Sequence, residues 1–188
     1  MGLLDGKVAI VTGSGGGLGR EHALALAAEG AAVLVNDLGG ARDGTGAGQN
    51  MADQVVDEIK AAGGEAASNY DNVASVEGGE GILKSALDAF GRVDVLVNNA
   101  GASLPGGRNE YEPEVFEQSV AINLFGAFRL ASACKPMLTA SAIDGGGSVI
   151  NLASMSSYFG IPIVPGYGAA KAGIVQMTKT LAVAWAKQ

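Results

Sequence analysis

An apolar run, Lys7-Val8-Ala9-Ile10-Val11-Thr12, breaks directly into Gly13-Ser14-Gly15-Gly16-Gly17-Leu18-Gly19, and no other stretch limits the possible folds as sharply. The run shows no polar alternation, which suits a strand covered on both faces in a parallel sheet. The glycines then permit backbone angles and close approaches that side chains forbid. Segment 20–29, rich in alanine and leucine and closed by Gly30, reads as a helix. Strand, tight turn and helix in that order open a βαβ unit.

The alternation continues along the chain. Segments 31–36, 66–70, 93–97 and 148–153 read as further strands. Met51, Val55 and Ile59 share one helix face, and Ile82, Ala86 and Phe90 share another, with Ser75 placed to cap it. Pro113 stands where a helix start tolerates it; that helix is expected to run to about Leu138, with Pro136 kinking or shortening its end. A last helix is expected over about 167–188. The reading is a single α/β domain over 1–188, a doubly wound parallel sheet with helices on both faces.

Composition narrows the function classes. Glycine fills 30 of the 188 positions, more than twice the usual ~7%, but without a strict period; with 48% hydrophobic residues the chain is neither collagen-like nor disordered. Its net charge of −7, with no Lys/Arg cluster, argues against a nucleic-acid partner. No apolar stretch approaches the ~20 residues that span a bilayer, and the first residues lack a secretory pattern, so no membrane partner and a cytoplasmic location are expected. Cys134 is the only cysteine, which suits a reducing compartment and reads as a core filler. His22 is the only histidine and reads as a helix-face residue, so no metal site is expected.

The turn 13–19 sits where a dinucleotide site would stand, with the free N–H groups and positive dipole end of the next helix available to a pyrophosphate. A merely flexible turn is the plainer alternative. Asp37 lies 18 positions after Gly19, at the end of the second strand, where a carboxylate can accept bonds from the adenosine ribose. The same charge would repel a 2′-phosphate, and Arg42 is the nearest cation, so NAD is favoured over NADP; a solvated loop carboxylate is the alternative reading of Asp37.

Thr12-Gly13-xxx-Gly17-x-Gly19, Asn98-Asn99-Ala100-Gly101, Ser154 and Tyr167-Gly168-Ala169-Ala170-Lys171 follow in the order and spacing of the single-domain short-chain dehydrogenase/reductases, which the chain resembles over essentially its whole length. The resemblance implies a Rossmann-like fold and an NAD-dependent oxidoreductase interconverting a small-molecule secondary alcohol and a ketone. It implies Tyr167 as general base in oxidation and general acid in reduction. Lys171, at i+4 on one helix face, would favour the phenolate and hold the nicotinamide ribose. Ser154, 13 residues before Tyr167, would bond the substrate oxygen; Ser156 and Ser157 lack that interval. Asn123 would anchor a water in the proton relay, its alternative being a solvent-facing helix residue. Gly13, Gly17, Leu18 and Gly19 would form the phosphate turn, Asn99 would line the cleft and support the sheet, and Asn72-Val73 would touch adenine, a role Asp71 takes in another register.

The string Val35-Asn36-Asp37-Leu38-Gly39-Gly40, with Asn69-Tyr70-Asp71, resembles the (3R)-hydroxyacyl-CoA dehydrogenase domain of peroxisomal-type multifunctional enzymes, a likeness expected to stop mid-chain. Segment 161–165 and the last helix resemble bacterial members acting on alcohols, steroids or oxo-acyl groups. Set against the family, the chain is expected to lack the last two strands and the substrate loop. That leaves a second reading, a non-catalytic NAD-binding or assembly module, against which the joint presence of Asn123, Ser154, Tyr167 and Lys171 argues. The family also implies a homo-oligomer, dimer or tetramer, built through the two long helices.

Overall fold

Successive side chains of a strand point to opposite faces, and β1 (Val8–Thr12) is buried along its whole length. In the computed structural model, described for residues 2–39 and 50–186, both faces are covered by helices. Ala9 and Val11 join Val33, Val35, Val95 and Val97 on one face, beneath Ala23, Val55 and Ile59. Ile10, Leu34 and Leu96 face the other way, against Ile82, Ala86, Leu130 and Cys134. An uninterrupted apolar strand is therefore the sequence of a sheet with two cores.

The order along the chain is β1, α1 (Gly17–Ala28), β2 (Ala32–Asn36), α2 (Asn50–Ala61), β3 (Ala66–Asn69), α3 (Val76–Phe90), β4 (Val95–Asn98), α4 (Pro113–Val120), a π-helical stretch (Ala121–Phe125), α5 (Gly126–Thr139), β5 (Ser148–Asn151) and α6 (Pro165–Trp185). The five parallel strands lie in the order β3-β2-β1-β4-β5. The order reverses at β1/β4, the switch point beside which open α/β sheets bind ligands. Every strand ends on a polar side chain: Thr12, Asn36, Asn69, Asn98 and Asn151. At one edge, β5 is half-exposed, with Ile150 48% accessible.

Ser75 caps α3 as its spacing predicts, accepting from the Gly78 N–H. Three expectations need correction. Helix α1 starts at Gly17 rather than at position 20, because the turn and not helix propensity sets its first residue. Pro136 lies inside α5 without shortening it, and the helix runs to Thr139. The uninterrupted helix expected from Pro113 contains the π-helical stretch 121–125, a local widening found often at functional sites.

The amino ends of the strands are tied by Asp94, which is wholly buried. Its carboxylate accepts from the Val8 N–H, from the Arg92 guanidinium through two bonds, and from the Ser141 hydroxyl. Burial alone would raise its pKa, but Arg92, Ser141 and Val8 hold the Asp94 carboxyl below the usual carboxylate value. A depressed folded-state value stabilises above the unfolded value and is lost as pH falls. Asp94→Asn should therefore cost about 2 kcal/mol at pH 7, with the gap to the unaltered chain closing below about pH 4. Urea unfolding measures this, and equal midpoints at pH 7 would refute it.

Candidate active site

At the switch point, Thr12 and Asn99 tie β1 to β4. The Thr12 hydroxyl oxygen accepts from the Asn99 and Ala100 N–H groups at 3.1 and 3.0 Å. The Asn99 side-chain amide donates back to the Thr12 and Gly13 carbonyls, both at 2.9 Å. Asn99 thus braces the glycine turn with both amide protons. Gly13 has φ +61°, and a Cβ there would lie 2.8 Å from Ala100 Cα. A Cβ at Gly19 would lie 2.1 Å from the Gly13 carbonyl oxygen, so the turn folds onto the start of α1 only because both positions are glycine. Gly17 also has positive φ, with open space where its Cβ would be, and Leu18 beside it is exposed. The turn therefore presents a side-chain-free concavity at a helix start, which fits a pyrophosphate.

Asp37 follows β2 beside this turn. Its carboxylate accepts from the Gly15 N–H and the Gly39 N–H, both at 2.7 Å. These bonds fix the group and still leave lone pairs for two hydroxyls. Arg42 lies outside the described residues. Next to Asp37, Asn36 donates to Asn69 and to the Asp71 carbonyl, while Asn69 donates to the Asp71 carboxylate and to Ser85. Asn72 turns its side-chain oxygen onto the Ala74 N–H and its carbonyl onto Ser75, building the start of α3. The Val73 carbonyl abuts Gly126, so this pair is set by helix packing.

The remaining candidates converge on α6. Tyr167 and Lys171 are one turn apart, with the Lys171 ammonium 5.6 Å from the Tyr167 ring centre. Lys171 is buried and donates to the Leu152 carbonyl at 2.7 Å. Burial pushes its ammonium down from 10.5 to about 8. Ser154 caps a short turn, accepting from the Ser156 N–H, while Ser157 donates to the Lys171 carbonyl. Asn123 sits in the π-helical stretch and is 1% exposed, which overturns the solvent-facing alternative. Its amide protons go to the Ala102 and Ser119 carbonyls, and its Oδ1 is buried with no partner among the described residues. A Cβ at Gly101 would lie 2.7 Å from that oxygen and 3.4 Å from the Lys171 nitrogen. An orphaned acceptor and a buried ammonium thus meet across a space kept open by a glycine.

The sequence reading missed Glu110, which is wholly buried and accepts from the Tyr167 N–H. Acidic neighbours such as Glu112 and Glu114 are exposed, and nothing local separates Glu110 from them. It also left Asn98 and Asn151 without individual roles. Asn98 donates to Asn151, which donates to Thr178 on α6.

Comparison with known proteins gives this geometry its context. A family model described as short chain dehydrogenase matches residues 7–188. A short-chain type dehydrogenase/reductase of Mycobacterium tuberculosis is 47% identical over 181 residues, 96% of this chain and 62% of that protein. The peroxisomal hydratase-dehydrogenase-epimerase of Saccharomyces cerevisiae is 44% identical over 181 residues, 96% of this chain and 20% of its own length. A solved 7α-hydroxysteroid dehydrogenase, complexed with NADH and 7-oxo glycochenodeoxycholic acid, superposes with a TM-score of 0.85 at 30% identity, over 98% of this chain and 67% of that one. The chain thus spans less than two thirds of the mycobacterial relative. The peroxisomal likeness, expected to stop mid-chain, covers nearly all of it, since its identities extend well beyond the quoted strings.

Because the Lys171 ammonium titrates near 8 when folded and near 10.5 when unfolded, the unfolded chain holds the extra proton between those values. Stability must then rise with pH across that window. Relative to Lys171→Met, the unaltered chain should gain up to about 3 kcal/mol between pH 7.5 and 10.5. A pH-independent difference in denaturation midpoints would contradict this.

Proposed function

The chain belongs to the short-chain dehydrogenase family, and on that premise we propose that it is an NAD-dependent oxidoreductase interconverting a secondary alcohol and the matching ketone. The observation that carries the reading is the meeting of Tyr167, Lys171 and the orphaned Asn123 oxygen above the switch point of the sheet. A bound nicotinamide supplies the hydride acceptor for oxidation and the hydride donor for reduction. In the proposed scheme Tyr167 Oη takes the alcohol proton or returns it to the ketone oxygen. Lys171 lies beside the Tyr167 ring; one of its protons is held by the Leu152 carbonyl, leaving two for a ribose hydroxyl and a water. Asn123 Oδ1 accepts from that water, which carries the proton outward. The Ser154 hydroxyl donates to the substrate oxygen as charge develops there.

Gly13, Gly17, Leu18 and Gly19 would carry the pyrophosphate, and Asp37 would accept from the adenosine ribose. Asp37 also supports NAD over NADP, since its fixed carboxylate would face a 2′-phosphate. Asn72 and Val73 stay assigned to the adenine end. The substrate body is apolar, a hydroxyacyl thioester, a steroid or similar. Met155, Tyr158, Phe159 and Ile163 support this, being exposed between Ser154 and Tyr167. So do the names of the relatives, one a peroxisomal hydratase-dehydrogenase-epimerase and one a hydroxysteroid dehydrogenase. Exposed Phe116, Phe125, Phe128 and Val183 on α4 to α6 support a dimer or tetramer. No helix among the described residues is long and apolar enough to cross a membrane. The free, buried Cys134 suits a reducing cytoplasm.

Nucleotide fluorescence and turnover with secondary alcohols, hydroxysteroids and 3-hydroxyacyl thioesters test the reading together. NADH should bind more tightly than NADPH, and Tyr167→Phe should lower turnover at least ~100-fold while leaving NADH affinity nearly intact. Activity retained in Tyr167→Phe would remove the assigned acid/base. NADH binding without turnover of any substrate would favour the binding module.

A further inference from the structure

Glu110 is a carboxylate with no exposed surface, and among the described residues no cation pairs with it. Such burial is costly unless hydrogen bonds replace the lost water. Three do. Oε1 accepts from the Leu104 N–H at 2.8 Å and the Ser119 hydroxyl at 3.3 Å, and Oε2 accepts from the Tyr167 N–H at 2.8 Å. The last donor belongs to the first turn of α6, whose N–H groups have no partner within the helix. The residue at the cap of α6 is Val164, which offers no side-chain acceptor. Glu110 therefore caps α6 from outside the helix, and its negative charge meets the positive end of the helix dipole.

We propose that Glu110 is the positioning residue for Tyr167, its buried carboxylate fixing where the first turn of α6 stands relative to Asn123. The proposal rests on the role given to Tyr167 above. Both anchors on the other side of the carboxylate lead to Asn123. Ser119 supplies the carbonyl that holds one Asn123 amide proton, and Leu104 lies two residues from Ala102, whose carbonyl holds the other. Leu104 also has φ +50°, the only positive value at a non-glycine residue among those described. Its strained backbone thus has its N–H fixed by Glu110. Gly166 makes the junction close: a Cβ there would lie 3.1 Å from the Phe116 carbonyl oxygen and 3.2 Å from Glu110 Oε2. Tyr111 adds a second tie from the same segment, donating from its hydroxyl to the Pro162 carbonyl at 2.7 Å, just before α6. A single buried charge thus sets the spacing between the residue proposed to move the proton and the residue proposed to hold its water.

The test uses Glu110→Gln and Glu110→Asp in the full chain, with two readouts. An amide donating to a carboxylate resonates downfield and exchanges slowly, so the Tyr167 amide proton should do both in the unaltered chain and lose both in Glu110→Gln. Turnover in Glu110→Gln should fall about tenfold, the scale of a small displacement at a reacting centre, while the dissociation constant for NADH stays unchanged. Glu110→Asp keeps the charge on a shorter arm and should recover part of the turnover. A capping role without positioning would instead lower melting temperature with turnover per folded molecule intact, and that result overturns the proposal. So does NADH affinity falling in step with turnover, or an ordinary Tyr167 amide in the unaltered chain, which decides the matter even if neither variant folds. An unaltered chain without any turnover would count against the proposed function, and the amide readout would then decide the contact alone.

Discussion

The bond pattern between Thr12 and Asn99 is the constraint on which the rest of the site depends. One hydroxyl accepts two N–H groups from the loop after β4, and one amide returns two bonds to the loop after β1. The exchange locks the carboxyl ends of two strands where the sheet order reverses. It also sets the entry angle of the glycine turn and presses Ala100 against Gly13. Gly101, next along, then faces Asn123 and Lys171. The concavity suited to a pyrophosphate and the pocket suited to a proton relay are thus two sides of one short stretch of backbone.

Around that point the molecule changes from apolar to polar over a single residue per strand. The sheet interior is aliphatic on both faces, and its strands end in Thr12, Asn36, Asn69, Asn98 and Asn151. Several of these side chains satisfy one another or nearby carbonyls, as buried polar groups must. The exceptions stand out against this background. Among the described residues, Asn123 Oδ1, like His22 Nδ1 and Ser156 Oγ, is buried without a partner, and Lys171 has lost its solvent without gaining a carboxylate. Groups left in that condition are candidates for interaction with something the chain does not itself supply.

What could be read from the sequence follows from the range of the interaction responsible. The strands, the Ser75 cap and the Tyr167–Lys171 pair rest on neighbours a few residues apart, and each is found within a few positions of where local pattern puts it. The start of α1 is not legible, because its first helical residue, Gly17, is placed by a turn whose Gly13 and Gly19 pack against Ala100 and Asn99 from the loop after β4. The π-helical stretch leaves no trace either, since one widened turn hardly disturbs the apolar spacing of 113–138. Burial of Asn123 and Glu110 arises only when α4 meets the first turn of α6, a contact between segments some 50 positions apart, such as Glu110 with Tyr167 (|i−j| 57).

In the proposed function, a nicotinamide dinucleotide binds along the carboxyl edge of the sheet, across the switch point. Amide chemical-shift changes on adding NADH measure this residue by residue. Shifts are expected at Gly13 to Gly19, at Asp37 to Gly39, at Asn99 to Gly101 and at the start of α6. The opposite edge carries a depression of about 650 Å³ lined by Asp5, Leu24, Gly30, Ile59 and Glu65, and it should stay silent. Shifts confined to that opposite edge, or none at saturating NADH, would rule out this binding site.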